Sequence, residues 1–333
     1  MNKLFDSRFI IDGVTEELTP AQMLGRNRPP LDGEPIIDET VDPAILSYDF
    51  DEGKISSYLK AVKKTKRELQ FPFAAQYARA CLAGVLTDAI WSAGHFILPE
   101  LSVDASWRWR EMGIGSMSAL YESVRAVSEY ADVLDIGFSG VECEDGDPAI
   151  AMKVPQAAGR AIPATLNPDP ESWIVYVPFD TEEYRLGGSL LAQALGIKGG
   201  ACPQVDNPDY LMDCYEVVRE LVEDRIAISG ITVGDGGLMT ALDNITYEGV
   251  GAQLDLSDLL RAYPGSDVVR LLFGEVPGVI FQIRDDDFDY LDAEFILQDV
   301  MYFPLGHPTK TKQIKLTWSQ KPAIGSILES LVR

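Results

Sequence analysis

The segment Gly234-Asp235-Gly236-Gly237-Leu238 has the residue types needed to hold an anion. Its glycines permit positive φ and close backbone approach. Leu238, Ala241, Leu242 and Ile245 follow at helical spacing, so a helix start there presents free N–H groups to an anion. The Asp235 carboxylate beside those groups can hold a magnesium ion against phosphate oxygens. A tight turn that merely begins a helix explains the same five residues equally well. A second glycine pair, Gly187-Gly188-Ser189, opens a shorter helix from Leu190 to Leu195.

Other groupings carry less. Asp285-Asp286-Asp287 with Asp289 could coordinate a cation, but the run lacks the glycine and terminal glutamate of a calcium loop. A solvated helix start is the favoured reading. Trp107, Arg108 and Trp109 could stack on a purine, although a core or interface role suits them better. With only His95 and His307, neither a histidine-rich metal site nor a Ser-His-Asp triad is expected. Cys81, Cys143, Cys202 and Cys214 are widely spaced and read as free thiols.

Elements must position these residues. The 333 residues, 46 % of them hydrophobic, suffice for two domains with sizeable cores. A formal net charge of −24 repels phosphate backbones, which disfavours nucleic acid as a partner. No apolar run is long enough for a membrane span and no secretory signal opens the chain, so the cytoplasm is the default location.

Residues 26 to 53, rich in Pro, Asp, Glu and Gly, read as a linker or wrapping arm. A basic helix is expected from Lys54 to Leu69, with Lys60, Lys63, Lys64, Lys66 and Arg67 exposed on a solvated face. Apolar spacing predicts a buried helix within Phe73 to Ala93 and others near Ser118 to Tyr130 and Tyr210 to Glu223. Val133 to Phe138 and Ala149 to Val154 read as strands around an acidic turn, Glu142 to Asp147. After a break at Asn167-Pro168-Asp169-Pro170, strands are expected at Trp173 to Val177, Ala252 to Leu256 and Val279 to Ile283. Gly249 reads as the end of the helix that Gly236-Gly237 begins.

Three segments of the second half resemble the formylglycinamidine ribonucleotide synthase family in order and spacing. They are Leu186-Gly187-Gly188-Ser189-Leu190-Leu191-Ala192-Gln193, Gly234 to Leu238, and Leu272-Phe273-Gly274-Glu275-Val276-Pro277-Gly278. In the first half, Ala83-Gly84-Val85-Leu86-Thr87-Asp88 and Leu120 to Val127 are similar to two family helices. Pro20 to Pro29 resembles the junction between the two tandem halves of the long form. Thr317-Trp318-Ser319-Gln320 and Ile327 to Leu331 resemble its passage towards a glutaminase domain.

The resemblance implies an α+β fold of the aminoimidazole ribonucleotide synthetase type. An arm and short helix (residues 1–70) would precede an N-terminal α/β domain with a strand-mediated dimer-type interface (71–166) and a C-terminal mixed-sheet layered domain (167–333). It implies the second synthetase-like half of the long form, with the first half and the glutaminase absent from this chain. The partner would be a second copy or a complementary synthetase and glutaminase chain. The reaction is the ATP-dependent conversion of formylglycinamide ribonucleotide to its amidine. The resemblance places ATP against Gly187, Gly188, Ser189, Asp235, Gly236 and Gly237, with magnesium on Asp235 and Asp88.

Departures from the family pattern bear on that site. Gly84 and Asp88 stand where the family has a glutamate and an asparagine. Gly146-Asp147-Pro148-Ala149 stands for a Gly-Lys-Asp-Ser loop, and Ile231 and Thr232 for a histidine and an acid. Losing the lysine removes a charge-assisted contact worth ~1.5–3 kcal/mol. The expected outcome is a nucleotide frame that survives as a relic, or a fold kept for assembly. An independent ATP-using synthetase with another small substrate is the third reading. A working site would need a basic side chain such as Arg79 or Lys153 beside Asp235 and Asp88.

Overall fold

Residues 3–319 are described by the computed structural model. Met1, Asn2 and the stretch from Gln320, which carries part of the resemblance near the chain end, lie outside the described residues. The elements of the first half are β1 (Phe9–Ile11), β2 (Val14–Thr15), α1 (Pro20–Met23), β3 (Ile36–Asp38), α2 (Ile55–Val62), α3 (Ala74–Ala89), β4 (Ser102–Trp109), α4 (Ser116–Val133), β5 (Gly137–Asp145) and β6 (Ala149–Lys153). The second half holds β7 (Trp173–Pro178), α5 (Leu190–Ala194), α6 (Pro208–Glu223), β8 (Ala227–Val233), α7 (Gly237–Ile245), β9 (Gly251–Asp255), α8 (Ser257–Ala262), α9 (Val268–Phe273), β10 (Gly278–Ile283), α10 (Phe288–Leu297), β11 (Phe303–Thr309) and β12 (Ile314–Thr317).

The second half is organised on a six-stranded mixed sheet in the order β12-β9-β11-β7-β10-β8. Only the β12–β9 pair is parallel. The central strands β7 and β10 are buried on both faces, which is why they read as unbroken apolar runs. Side-chain alternation then assigns the faces. Val175, Val177, Val279 and Phe281 share a core with α3, α4 and α6. Ile174, Tyr176 and Ile280 share the other with α7, α8 and α9. The fold is therefore α+β with mixed sheets, as the sequence leads one to expect.

The first half builds the sheet β5-β4-β6 and a small sheet β2-β1-β3. Along β4, Val103, Ala105, Trp107 and Trp109 point into the core. Both tryptophans are fully buried and their indole N–H groups are bonded inside, Trp107 to Ser123 Oγ and Trp109 to the Ser116 carbonyl. They are core residues, and stacking on a purine is excluded for them. Small residues on α3 (Ala74, Ala78 and Ala83) let that helix lie close to α4 and the large sheet.

Several local expectations are corrected. Most of the acidic segment Glu142 to Asp147 is strand, because β5 runs through to Asp145 beside β4. The helix from Lys54 stops at Val62, and Arg67 lies beyond it, largely buried. α7 ends at Ile245, so Gly249 serves a later turn between Tyr247 and Val250. Asp285–Asp287 do form a helix start. Among the described residues the four cysteines are free, and no helix is long and apolar enough to cross a membrane.

Candidate functional site

The two glycine turns meet on one buried carboxylate. α7 starts with Gly236 and Gly237 at φ of +79° and +69°, conformations that favour glycine. A Cβ on Gly237 would stand 2.8 Å from the carbonyl oxygens of Leu272 and Gly274. The turn is therefore pressed against the end of α9, two residues before Glu275. Ser189 caps α5, its hydroxyl accepting from the Ala192 N–H. Glu275 Oε1 accepts from the N–H of Gly236 at 2.8 Å and from the N–H of Leu190 at 3.0 Å. One side chain thus satisfies donors at the starts of both helices.

Arg67 neutralises that carboxylate. Its guanidinium reaches Glu275 at 2.6 Å and Asp235 at 2.8 Å, and donates to the Gly188 carbonyl at 3.1 Å. The Tyr77 ring lies over it, 4.9 Å from the guanidinium carbon. Gln193 fastens the segment from α2, accepting from the Glu68 N–H and donating to the Gly188 carbonyl. Burial by itself would lower the Arg67 pKa. The charges of Glu275 and Asp235 outweigh it and hold the guanidinium more firmly than usual. Burial raises the Glu275 carboxyl, and the attraction of Arg67 only partly offsets this. Burial also pushes the neighbouring Cys81 thiol up to about 12, so it is not a nucleophile at neutral pH. The cleft left beside Arg67, Tyr77, Gly188 and Glu275 measures about 40 Å³. Small-molecule pockets have roughly 300–1,000 Å³.

The other end of the frame, along β8, is filled differently. Trp91 is buried against Gly230, where an added Cβ would come within 2.4 Å of the indole ring. Its N–H donates to Thr232 Oγ1 at 2.9 Å, and that hydroxyl donates to Asp88 at 3.2 Å. Arg160 lies over the Trp91 ring and donates to the Gly230 carbonyl.

The residues named from the sequence therefore sort into two groups. Gly187, Gly188, Ser189, Asp235, Gly236 and Gly237 are brought together around Arg67 and Glu275. Asp88 engages Thr232 instead. Tyr77, under Arg67, and Asp88 stand eleven residues apart on α3, about 16 Å along its axis. Among the described residues, no group of three or more His, Cys, Asp or Glu is arranged to hold a metal ion. Arg79 pairs with Asp206 and Lys153 with Asp104, so neither serves the turn. Arg67 does, and sequence reasoning missed it by extending the basic helix through it. Glu275 was quoted only as part of a motif, although a lone glutamate after Leu-Phe-Gly was the available signal.

No family model matches the sequence. The chain is 27 % identical over 252 residues to phosphoribosylformylglycinamidine synthase from Homo sapiens, covering 69 % of this chain and 18 % of that one. It is 27 % identical over 261 residues to the probable chloroplastic/mitochondrial enzyme of that name from Arabidopsis thaliana, covering 72 % and 18 %. The structure matches that of PurLQS from Thermotoga maritima with a TM-score of 0.54 at 14 % identity, over 75 % of this chain and 41 % of that one. T. maritima PurL complexed with FGAR gives 0.53 at 12 %, over 74 % and 42 %. The chain is thus similar to the phosphoribosylformylglycinamidine synthase family. It spans about a fifth of the length of these synthase relatives, and the solved structures show that it shares their fold.

Proposed function

We propose that this chain acts as the second synthetase-like half of a phosphoribosylformylglycinamidine synthase in purine biosynthesis. It would do so with a partner that carries the complementary half and the glutaminase. In the family reaction, ATP activates the formyl amide oxygen as a phosphate ester and ammonia displaces phosphate. Solved T. maritima PurL structures that share this fold are complexes with ATP, AMPPCP and FGAR.

The nucleotide does not fit the residues present here. The observation that carries this is the cleft of about 40 Å³ left beside Arg67, Tyr77 and Glu275, with Asp88 turned to Thr232 and, among the described residues, no cluster arranged to hold a metal ion. Glu275, a position of the family motif itself, takes the N–H groups of Gly236 and Leu190. A second anion there would meet both Glu275 and Asp235 with only Arg67 between them. No step of the reaction is therefore assigned to this frame. The chain's contribution is positional: an intact fold whose helix starts are fixed by its own side chains. The polar outer face of β5-β4-β6, with Asp104, Ser106, Glu142 and Lys153, supports pairing with a partner half.

The test is reconstitution. The partner half and glutaminase, supplied with glutamine, magnesium ATP and formylglycinamide ribonucleotide, should yield amidine only when this chain is added and a complex forms. A complex without amidine would favour an assembly protein that keeps only the fold. Equal amidine without the chain would overturn the proposal.

A further inference from the structure

We infer that residues 39–50 form a clasp that joins the two halves of the chain and opens as one unit beside the glycine turns. This goes beyond the proposed function and does not depend on it.

The clasp has an anchor at each end. At the first, Asp38 receives the N–H groups of Gly115, Met117 and Ser118 at 2.7 to 3.0 Å, so its carboxylate sits on the start of α4. Thr40 continues the attachment, bonding Asp12 through both its N–H and its hydroxyl. Val41 then fits against Gly115, where a Cβ would come within 2.4 Å of the valine side chain. At the second, Ala44 accepts from the Gly200 N–H at 2.8 Å and fits against Gly199 with similar closeness. Arg270 of α9 donates to the Tyr48 carbonyl, and its guanidinium lies 5.3 Å from the centre of the Phe50 ring. The Tyr48 hydroxyl donates to the Lys198 carbonyl.

Only Asp42 and Pro43 separate the anchors, and within the second Ile45 is fully exposed and Leu46 nearly half exposed. Beneath the segment lie two cavities. One, about 380 Å³, is bounded by Thr40, Val41, Phe71 and Gln76. The other, about 540 Å³, is bounded by Tyr48, Phe50, Arg185, Gly187 and Gly200. Both border the small cleft at Arg67 and Glu275, through Gln76 and Gly187 respectively. Opening the clasp would therefore uncover a continuous groove past the Gly187-Gly188 turn. The bonds at each end are few and two residues join the anchors, so loss of one anchor leaves the other as an isolated hydrogen-bonded contact. This is the pattern of a cooperative local opening. Partial burial would raise the Asp38 carboxyl, but its N–H donors outweigh that and hold it below the usual aspartate range. The first anchor therefore stays ionised throughout the neutral range.

Hydrogen–deuterium exchange on the full chain tests this. In the native protein the Gly115 and Gly200 amides, one at each anchor, should exchange with the same opening constant and the same denaturant dependence. In Asp38→Asn and in Arg270→Gln, both amides should exchange at least about tenfold faster, while β7 and β10 stay protected. Distinct opening constants in the native chain, or acceleration only at the substituted end, would overturn the clasp.

Discussion

The glycine turns and the β8 region are packed by opposite means. At the glycine turns the filler is charge: Glu275, Arg67 and Asp235 form a compact ion cluster that satisfies two helix starts. Along β8 the filler is bulk: Trp91 lies on Gly230 and a chain of hydrogen bonds leads from its indole to Thr232 and Asp88. The difference lies in what each tolerates. An ion cluster keeps its geometry only while every charge is matched. A packed indole depends on volume and is indifferent to pH.

Substitutions can break this contrast, beginning with the largest expected effect. Trp91→Ala should lower the unfolding free energy by about 4 kcal/mol in urea denaturation, because it leaves a cavity beside Gly230 and takes the indole donor from Thr232. Glu275→Gln should lower it by about 3 kcal/mol, since Arg67 is left in a buried site with only the half-exposed Asp235. Its effect should shrink in the Arg67→Met background by about 1–3 kcal/mol, a coupling that a double-mutant cycle measures. Additive losses would mean that the charges do not act as a unit.

A second carboxylate sharpens the charged side. Asp180, fully buried on the loop that leads to Gly187, accepts N–H groups from Glu182 and Asp206. Burial raises its pKa to about 6. The folded chain therefore binds this proton more tightly than the unfolded chain. The resulting stabilisation is present below pH ~4 and is lost as pH rises through ~6. The wild type should thus gain about 2–3 kcal/mol relative to Asp180→Asn as pH falls from 7 to 4. A difference that does not vary with pH would contradict this. The smallest effect belongs to the packed end. Thr232→Val should lower stability by about 1 kcal/mol through the lost indole hydrogen bond, equally at pH 5 and pH 8.

Much of the scaffold was legible because periodicity and glycine placement are local properties. The apolar runs at β7 and β10 and the starts of α5 and α7 follow directly from them. β4 was readable too, since Val103, Ala105, Trp107 and Trp109 alternate, and the core role favoured for the two tryptophans is the one they have. The closure of the frame was not legible. Arg67 and Glu275 are 208 residues apart, and only the fold brings them within 2.6 Å. The helical period of the lysines also continued past Val62 in sequence while the backbone did not. The departures at Gly84, Ile231 and Thr232 announced that the site had changed. What fills the space, Trp91 against Gly230, depends on how α3 meets β8, and no spacing rule reports that.

The central claim is that the glycine turns leave neither the room nor the metal ligands that a nucleotide would need. Titration calorimetry of the intact chain with magnesium ATP to millimolar concentration tests it most directly. The account predicts no saturable heat, and the same flat trace in Asp235→Ala. A saturable heat in the native chain that disappears in Asp235→Ala would contradict it.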